Sequence, residues 1–359
     1  MTSEGQVTED QQAQFRTADQ GLFTQEMHSK SRNVLNRHRF NNCQTQVAAK
    51  SRLKEATPMA KPSTLYTRRL SRTESGLWLN LDESRSSLVQ KDALRGYMDA
   101  FVSLSGALLY LSSVESNPIG GTAAYRDSVA CTLCLVSVRM KPSFRKELLS
   151  LMIKSSLPFF RSASIVQVEA LVNHSRNRNG IPFPLAYDLP AWVMPILETN
   201  GFQKAEQLCH YSAENISGRK AAIHGRQWDS HPDLARADAL FRKAGMESGL
   251  SCSQAHLAVS VAAGLRSLKT LSVKGRALAL TGFMPYGKRA LVTVCLHDSE
   301  KLDVTQFAAG LLNLCVESRV KSLDLLLVGQ GQRELVGSLA EICSSPFKRE
   351  LLQMMRKVL

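Results

Sequence analysis

The chain has 359 residues, with 45 Lys and Arg against 31 Asp and Glu, giving a net charge of +14. That length suits about two domains of ~100–200 residues each and leaves room for real cores. No apolar run approaches the ~20 residues that span a bilayer. The start, MTSEGQVTEDQQ, is acidic and polar, unlike a secretory signal or an Arg-rich transit peptide. Both features point to the cytoplasm and away from a membrane.

Residues 1–75 are polar with no sustained period and read as a loosely ordered arm. Between His28 and Thr73 the arm carries eleven Lys or Arg against one acid, Glu55. Such a surplus suits contact with nucleic acid through phosphate neutralisation. It equally suits a solubilising tail or an arm lying on an acidic surface. Between His28 and Thr73 only Phe40 and Tyr66 could stack on bases.

Leu77-Trp78-Leu79 alternates like a short edge strand, and the apolar spacing over 88–104 predicts an amphipathic helix. ALLYLSSV and TAAYR read as a hairpin turning at Asn117–Gly121. An apolar strand then begins near Val129 and gives way, past Pro142, to a helix running to about Phe160. A strand over 164–172, a loop over 174–189, a short helix stopped by Gly201 and a strand from Phe202 complete the first half. Residues 216–232 are polar and Gly-containing and read as a connection. The second half repeats the order: helices over 233–244 and 253–265, three strands with a turn at Pro285–Gly287, a helix, a strand, a helix and a last strand. The expected class is α/β (α+β), two tandem domains at 77–215 and 233–359, each a mixed sheet flanked by helices.

Cations gather at the first strand-to-helix junction: Arg139, Lys141, Arg145 and Lys146. A helix N-terminus already carries positive partial charge, so this cluster suits an anion, or else plain solvated cations. Cys131 and Cys134 would lie on one strand with opposite facing, and no second Cys or His pair stands at zinc spacing, so no metal is expected. No G-x-S-x-G elbow and no H-E-x-x-H occurs, which leaves hydrolase readings unsupported.

The element order, the V-x-M-x-P-x-x-R run (Val138, Met140, Pro142, Arg145) and L-E-x-N-G-F (Leu197, Glu198, Asn200, Gly201, Phe202) resemble the GCN5-related N-acetyltransferase (GNAT) family in a tandem arrangement. The resemblance implies two acyl-CoA N-acyltransferase folds and transfer of an acetyl or acyl group from acyl-CoA to an amine. It also implies a strand edge for pantetheine at Val138 and Met140 and a pyrophosphate turn at Arg145 and Lys146. In that turn Leu148 and Ser150 stand at two positions where the family has glycine, and Leu197 stands where it often has a general-acid Tyr.

The second copy has Asp298, Ser299, Glu300 and Asp303 at the equivalent turn, which suits helix capping better than a phosphate. Its Gly329-Gln330-Gly331 lacks the third glycine of a phosphate loop, since Glu334 stands there, and reads as an ordinary turn. A base for aminolysis could come from Glu169 or His210, each of which could equally be a structural strand residue. Tyr187 and Trp192 could line an acceptor pocket. The other reading is a catalytically silent tandem fold that serves as a binding module.

Overall fold

The computed structural model describes residues 65–82, 88–128, 130–141, 150–154, 165–173, 189–217, 227–230, 239–244, 250 and 252–359. All lie in one compact unit, Gln44–Leu359. The end of the arm expected over residues 1–75 joins the sheet: β1 (Leu65–Arg69) pairs antiparallel with β2 (Ala107–Val114). The rest of the arm lies outside the described residues.

Leu77-Trp78-Leu79 belongs to a short helix, α1 (Ser75–Leu79), and not to a strand. Three residues are too few to separate the two periods. What fixes this turn is Trp78, 1% exposed, which lies against Gly121. A Cβ on Gly121 would stand 2.8 Å from the indole Cδ1, so the close approach demands glycine.

Helix α2 (Leu88–Ser103) follows, then β2 and β3 (Asn117–Asp127). Their hairpin turns at Glu115 and Ser116, both with positive φ, and Asn117–Gly121 already belongs to β3. The favoured two-residue hairpin turn needs that backbone hand, and here non-glycine residues adopt it. β4 (Thr132–Met140) is the apolar strand expected near Val129, and β5 (Gln167–Asn173) runs parallel to its first half. Residues 150–154 are helical, while the junction at 142–149 and the loop at 174–188 lie outside the described residues. β6 (Leu189–Pro190), α3 (Met194–Thr199) and β7 (Gln203–Glu214) end the first half, with Gly201 at φ +84° stopping α3 as expected.

The stretch read as a connection supplies an edge strand, β8 (Gln227–Asp229), which pairs with β9 (Leu268–Val273). Trp228 anchors it through an indole N–H to the Gly310 carbonyl at 2.9 Å. Helix α4 (Cys252–Gly264) precedes β9, β10 (Arg276–Tyr286) and β11 (Arg289–His297). The turn between β10 and β11 is Gly287-Lys288, so Pro285 and Tyr286 stay in the strand. Helix α5 (Val304–Glu317) leads to β12 (Ser322–Val328), parallel to β11, and α6 (Arg333–Cys343) leads to β13 (Lys348–Val358).

The two halves share one sheet, ordered β1-β2-β3-β4-β5-β13-β7-β12-β11-β10-β9-β8. The last strand of each half is inserted into the other: β13 lies between β5 and β7, and β7 lies between β13 and β12. β5 with β13 and β12 with β7 are thus equivalent antiparallel pairs about the β7–β13 centre. Neither half completes its hydrogen-bonded ladder from its own residues. On one face α2 and α4 pack together across the halves, with Tyr97, Phe101, Leu257 and Val261 in a common core. Burying each large side chain contributes about 1.5–3 kcal/mol, which explains why the halves do not stand apart. Among the described residues no helix is long and apolar enough to cross a membrane.

Candidate functional site

Each half contains one parallel strand pair that splits. The β4–β5 ladder runs from Thr132 opposite Gln167 to Leu135 opposite Ala170, then stops, although β4 continues to Met140 and β5 to Asn173. The β11–β12 ladder runs from Arg289 opposite Ser322 to Val292 opposite Leu325, and β11 then continues to His297. Beyond each split, backbone donors and acceptors face a gap and require partners.

In the first half, β13 accompanies β5 along its whole length on one side. The parallel pairing of Val172 with Leu189 and Asn173 with Pro190 therefore lies on the side that β4 leaves. Leu189, 0% exposed, packs there with Val138, Met152, Val193 and Leu197. Val138 is thus part of the core through its side chain, while Met140 is half-buried. Trp192 packs against the same core, and Tyr187 lies outside the described residues.

Of the four junction cations, Arg139 is buried. Its guanidinium donates to the Leu79 carbonyl at 3.1 Å and lies 4.5 Å from the Trp78 ring centre. It braces α1 and is not turned toward a phosphate. Lys141 continues the strand, its amide donating to the Ile119 carbonyl. Arg145, Lys146 and Leu148 lie outside the described residues. Ser150 accepts a hydrogen bond from the Asn200 side-chain amide at 3.1 Å, which ties the helical residues 150–154 to the end of α3. Leu197 and Phe202 are core residues, so L-E-x-N-G-F here shapes a helix stop.

In the second half the gap is bridged by one side chain. Gln332, 4% exposed, ends a single 3-10 turn after Gly329. Its carboxamide oxygen accepts from the Gly329 amide at 3.0 Å and its NH2 donates to the Cys295 carbonyl on β11. This confirms Gly329-Gln330-Gly331 as a strand-to-helix turn. Burial pushes the Cys295 thiol up to about 12, so it is no nucleophile. Immediately after β11, Asp298 accepts from Lys243 at 3.0 Å and Lys301 at 3.1 Å. Burial pushes its carboxyl up, but the two ammonium groups outweigh this and hold it below its usual range. Asp303 caps α5 through the Thr305 and Gln306 amides, and the Thr305 amide leads in lowering its carboxyl.

The two residues considered as bases are both committed elsewhere. Glu169, 2% exposed, accepts from Arg356 Nη2 at 3.0 Å, Arg356 Nε at 3.2 Å and Gln167 at 2.9 Å. It lies opposite Cys134, in the closed half of the ladder. His210, 4% exposed, has Nε2 at 3.3 Å from Asp324 and Nδ1 at 3.4 Å from Glu350. Arg289 Nη1 stands 3.3 Å from the other oxygen of Asp324. Asp324 occupies the same register position on β12 that Glu169 occupies on β5. The match between QVEALV and SLDLLL was visible in the sequence. The role of Gln332 was not, because no motif marks a plugging side chain. Among the described residues no group of three or more His, Cys, Asp or Glu could hold a metal ion.

No family model matches the sequence, and no curated protein does. Solved structures do match. A tandem GNAT protein from the clavulanic acid biosynthesis pathway superposes with a TM-score of 0.54 at 12% identity, over 81% of this chain and 98% of that one. A GCN5-related N-acetyltransferase from Sphaerobacter thermophilus gives 0.52 at 9% identity, over 82% and 95%. A third, from Kribbella flavida, gives 0.51 at 12% identity, over 83% and 71%. The fold is the GNAT fold in tandem. At such identities the likeness carries the fold alone. The GNAT fold implies acyl-CoA, and the second half does not fit that group: the Gln332 side chain joins Cys295 and Gly329 where the two strands part, and Asp303 already takes the amides at the start of the following helix. In the first half Leu189 and Pro190 take the β5 side of the gap, and the β4 side has no strand partner among the described residues.

Proposed function

We propose that this chain is a catalytically silent tandem GNAT-fold protein that works by binding, with its basic residues 28–73 contacting nucleic acid or an acidic partner. One observation carries the silent part: the two groups considered as bases, Glu169 and His210, are buried and held by polar contacts between strands, Glu169 with Arg356 and His210 with Asp324 and Glu350. Aminolysis needs a base within hydrogen-bond reach of the amine, and both side chains are buried, at 2% and 4% exposed. The surplus of cations in the arm supports the binding part, because phosphate neutralisation needs charge more than order.

A second reading is favoured by one feature: among the described residues, Val136–Met140 has no strand partner on the β5 side. An acyl-CoA could lie along that edge with Arg145 and Lys146 at its diphosphate, making the first half an N-acyltransferase toward an amine acceptor. The two readings separate in one set of experiments. Under the binding reading, millimolar acetyl-CoA leaves the melting temperature unchanged, and removal of residues 1–64 abolishes retention of DNA or RNA in a gel shift. A rise in melting temperature with acetyl-CoA that Arg145→Glu removes would establish the second reading instead.

A further inference from the structure

We infer that the cleft between the β7–β13 sheet face and the start of α6 is an oxyanion site for a terminal phosphate group, held by Arg333 and Arg349. The cleft measures about 260 Å³ with its open mouth included. It is lined by Cys209 and Tyr211 of β7, Arg349 of β13, and Gly329, Gln330 and Arg333 where β12 gives way to α6. Cys209 and Tyr211 share a face of β7 because side chains alternate along a strand, and Arg349 is the register partner of Tyr211. β7 and β11 flank β12 on opposite sides, so this cleft does not belong to the split between β11 and β12.

The lining selects an anion. Among the described residues no carboxylate lines the cleft, and neither Arg333 nor Arg349 makes an ion pair. Glu334 and Glu350, their sequence neighbours, lie outside it, and Glu350 faces His210 on the opposite side of the sheet. Arg349 is fixed in place, because its Nε donates to the sulfur of buried Cys209 at 3.1 Å. Its two Nη groups, the fork that grips an oxyanion, keep no protein partner among the described residues. Both guanidinium groups act on the Tyr211 phenol, so the two charges converge. Burial and the Cys209 thiol outweigh them and push that phenol up, so it keeps its proton and donates as well.

Size and shape narrow the ligand. Clefts for drug-sized ligands run to ~300–1,000 Å³, so this one has room for a single group and not for a nucleotide. Buried Cys209 closes its floor, and whatever carries the group must leave by the mouth. A terminal phosphate meets that condition. A backbone phosphodiester, substituted on two sides, does not. The turn at Gly329 supplies a wall and not a phosphate loop, since the Gln332 side chain already takes the Gly329 amide.

The experiment uses the full chain and inorganic phosphate as the probe, at constant ionic strength in chloride, with binding read by calorimetry. Phosphate should bind saturably with a Kd on the order of 1 mM. Phenyl phosphate should bind as well, and dimethyl phosphate, a diester, at least about tenfold more weakly. Arg333→Gln and Arg349→Gln should each weaken phosphate at least about tenfold, the loss that goes with one charge-assisted contact. Arg276→Gln removes an exposed cation of β10 outside the cleft and should bind phosphate as wild type does. Arg333 is exposed on the first turn of α6, so Arg333→Gln decides even where Arg349→Gln fails to fold. No saturation by about 50 mM phosphate, or equal affinity in wild type and Arg333→Gln, would overturn the site. Dimethyl phosphate binding as tightly as phosphate, or exclusion of phenyl phosphate, would overturn the assignment to a terminal group. Retention of DNA or RNA through residues 28–73 is a separate property, so this inference and the proposed function can each fail alone.

Discussion

His210 Nε2 lies 3.3 Å from Asp324 Oδ1, so a residue on the last strand of the first half meets the buried carboxylate of the second. Its other ring nitrogen faces Glu350 of β13, which puts one imidazole on both members of the exchanged strand pair. His210→Leu removes the partner that Asp324 shares with Arg289 and that Glu350 shares with Lys348, and should cost about 1–3 kcal/mol, the range for leaving a buried polar group short of a hydrogen-bond partner. The urea midpoint measures it. His210→Leu combined with Asp324→Leu should recover part of that loss, since burying an apolar pair costs less than burying a lone charge. If the double variant is the sum of the two single ones, the coupling is absent.

The strand exchange predicts that the halves fold as one. Deleting residues 346–359 removes β13 and exposes the edges of both β5 and β7. The expected result is loss of cooperative unfolding in both halves, seen by circular dichroism and by rapid proteolysis on either side of residue 217. A stable fragment covering either half alone would show that each sheet closes by itself.

Much of this architecture could be read in advance, and the failures have physical causes. The strands of the meanders and the parallel pairs announced themselves as apolar runs such as TLCLVSVRM and SLDLLLV, because both of their faces are covered. The exchange of β7 and β13 could not be read, since QKAEQLCHYSAE and KRELLQMMRKV satisfy either neighbour equally and pattern says nothing about partner. The hairpin was displaced because Pro118 and Gly120 look like turn residues. Here Gly120 is glycine for a different reason: a Cβ there would stand 2.6 Å from the Arg139 carbonyl of the paired strand. Arg139 suggested an anion site because the sequence shows its charge and not its contact with Trp78.

That contact can be tested apart from any ligand. Arg139→Met keeps the length and removes both the stacked charge and the donor to Leu79. Stability should fall by about 1–2 kcal/mol, the range for a desolvated cation over an indole. The melting response to acetyl-CoA should be the same as in wild type. A lost response would place Arg139 at a ligand after all.

Acid should weaken the second half through Asp298. Lys243 and Lys301 hold its carboxyl below the usual 3.8 against the opposing push of burial. A carboxyl lowered in the folded state binds fewer protons there than in the unfolded chain. Its contribution is therefore whole above the unfolded value and is lost as pH falls through the folded one. Wild type should then lose stability more steeply than Asp298→Asn between pH 5 and 3, a window of about one to two units around the ordinary carboxylate value. Above pH 6 the two stability curves should run parallel, with Asp298→Asn the lower because it no longer pairs with Lys243 and Lys301. Denaturant midpoints across that range measure the slope. Equal slopes for the two proteins below pH 5 would mean that the lysines do not hold the carboxylate in the folded chain.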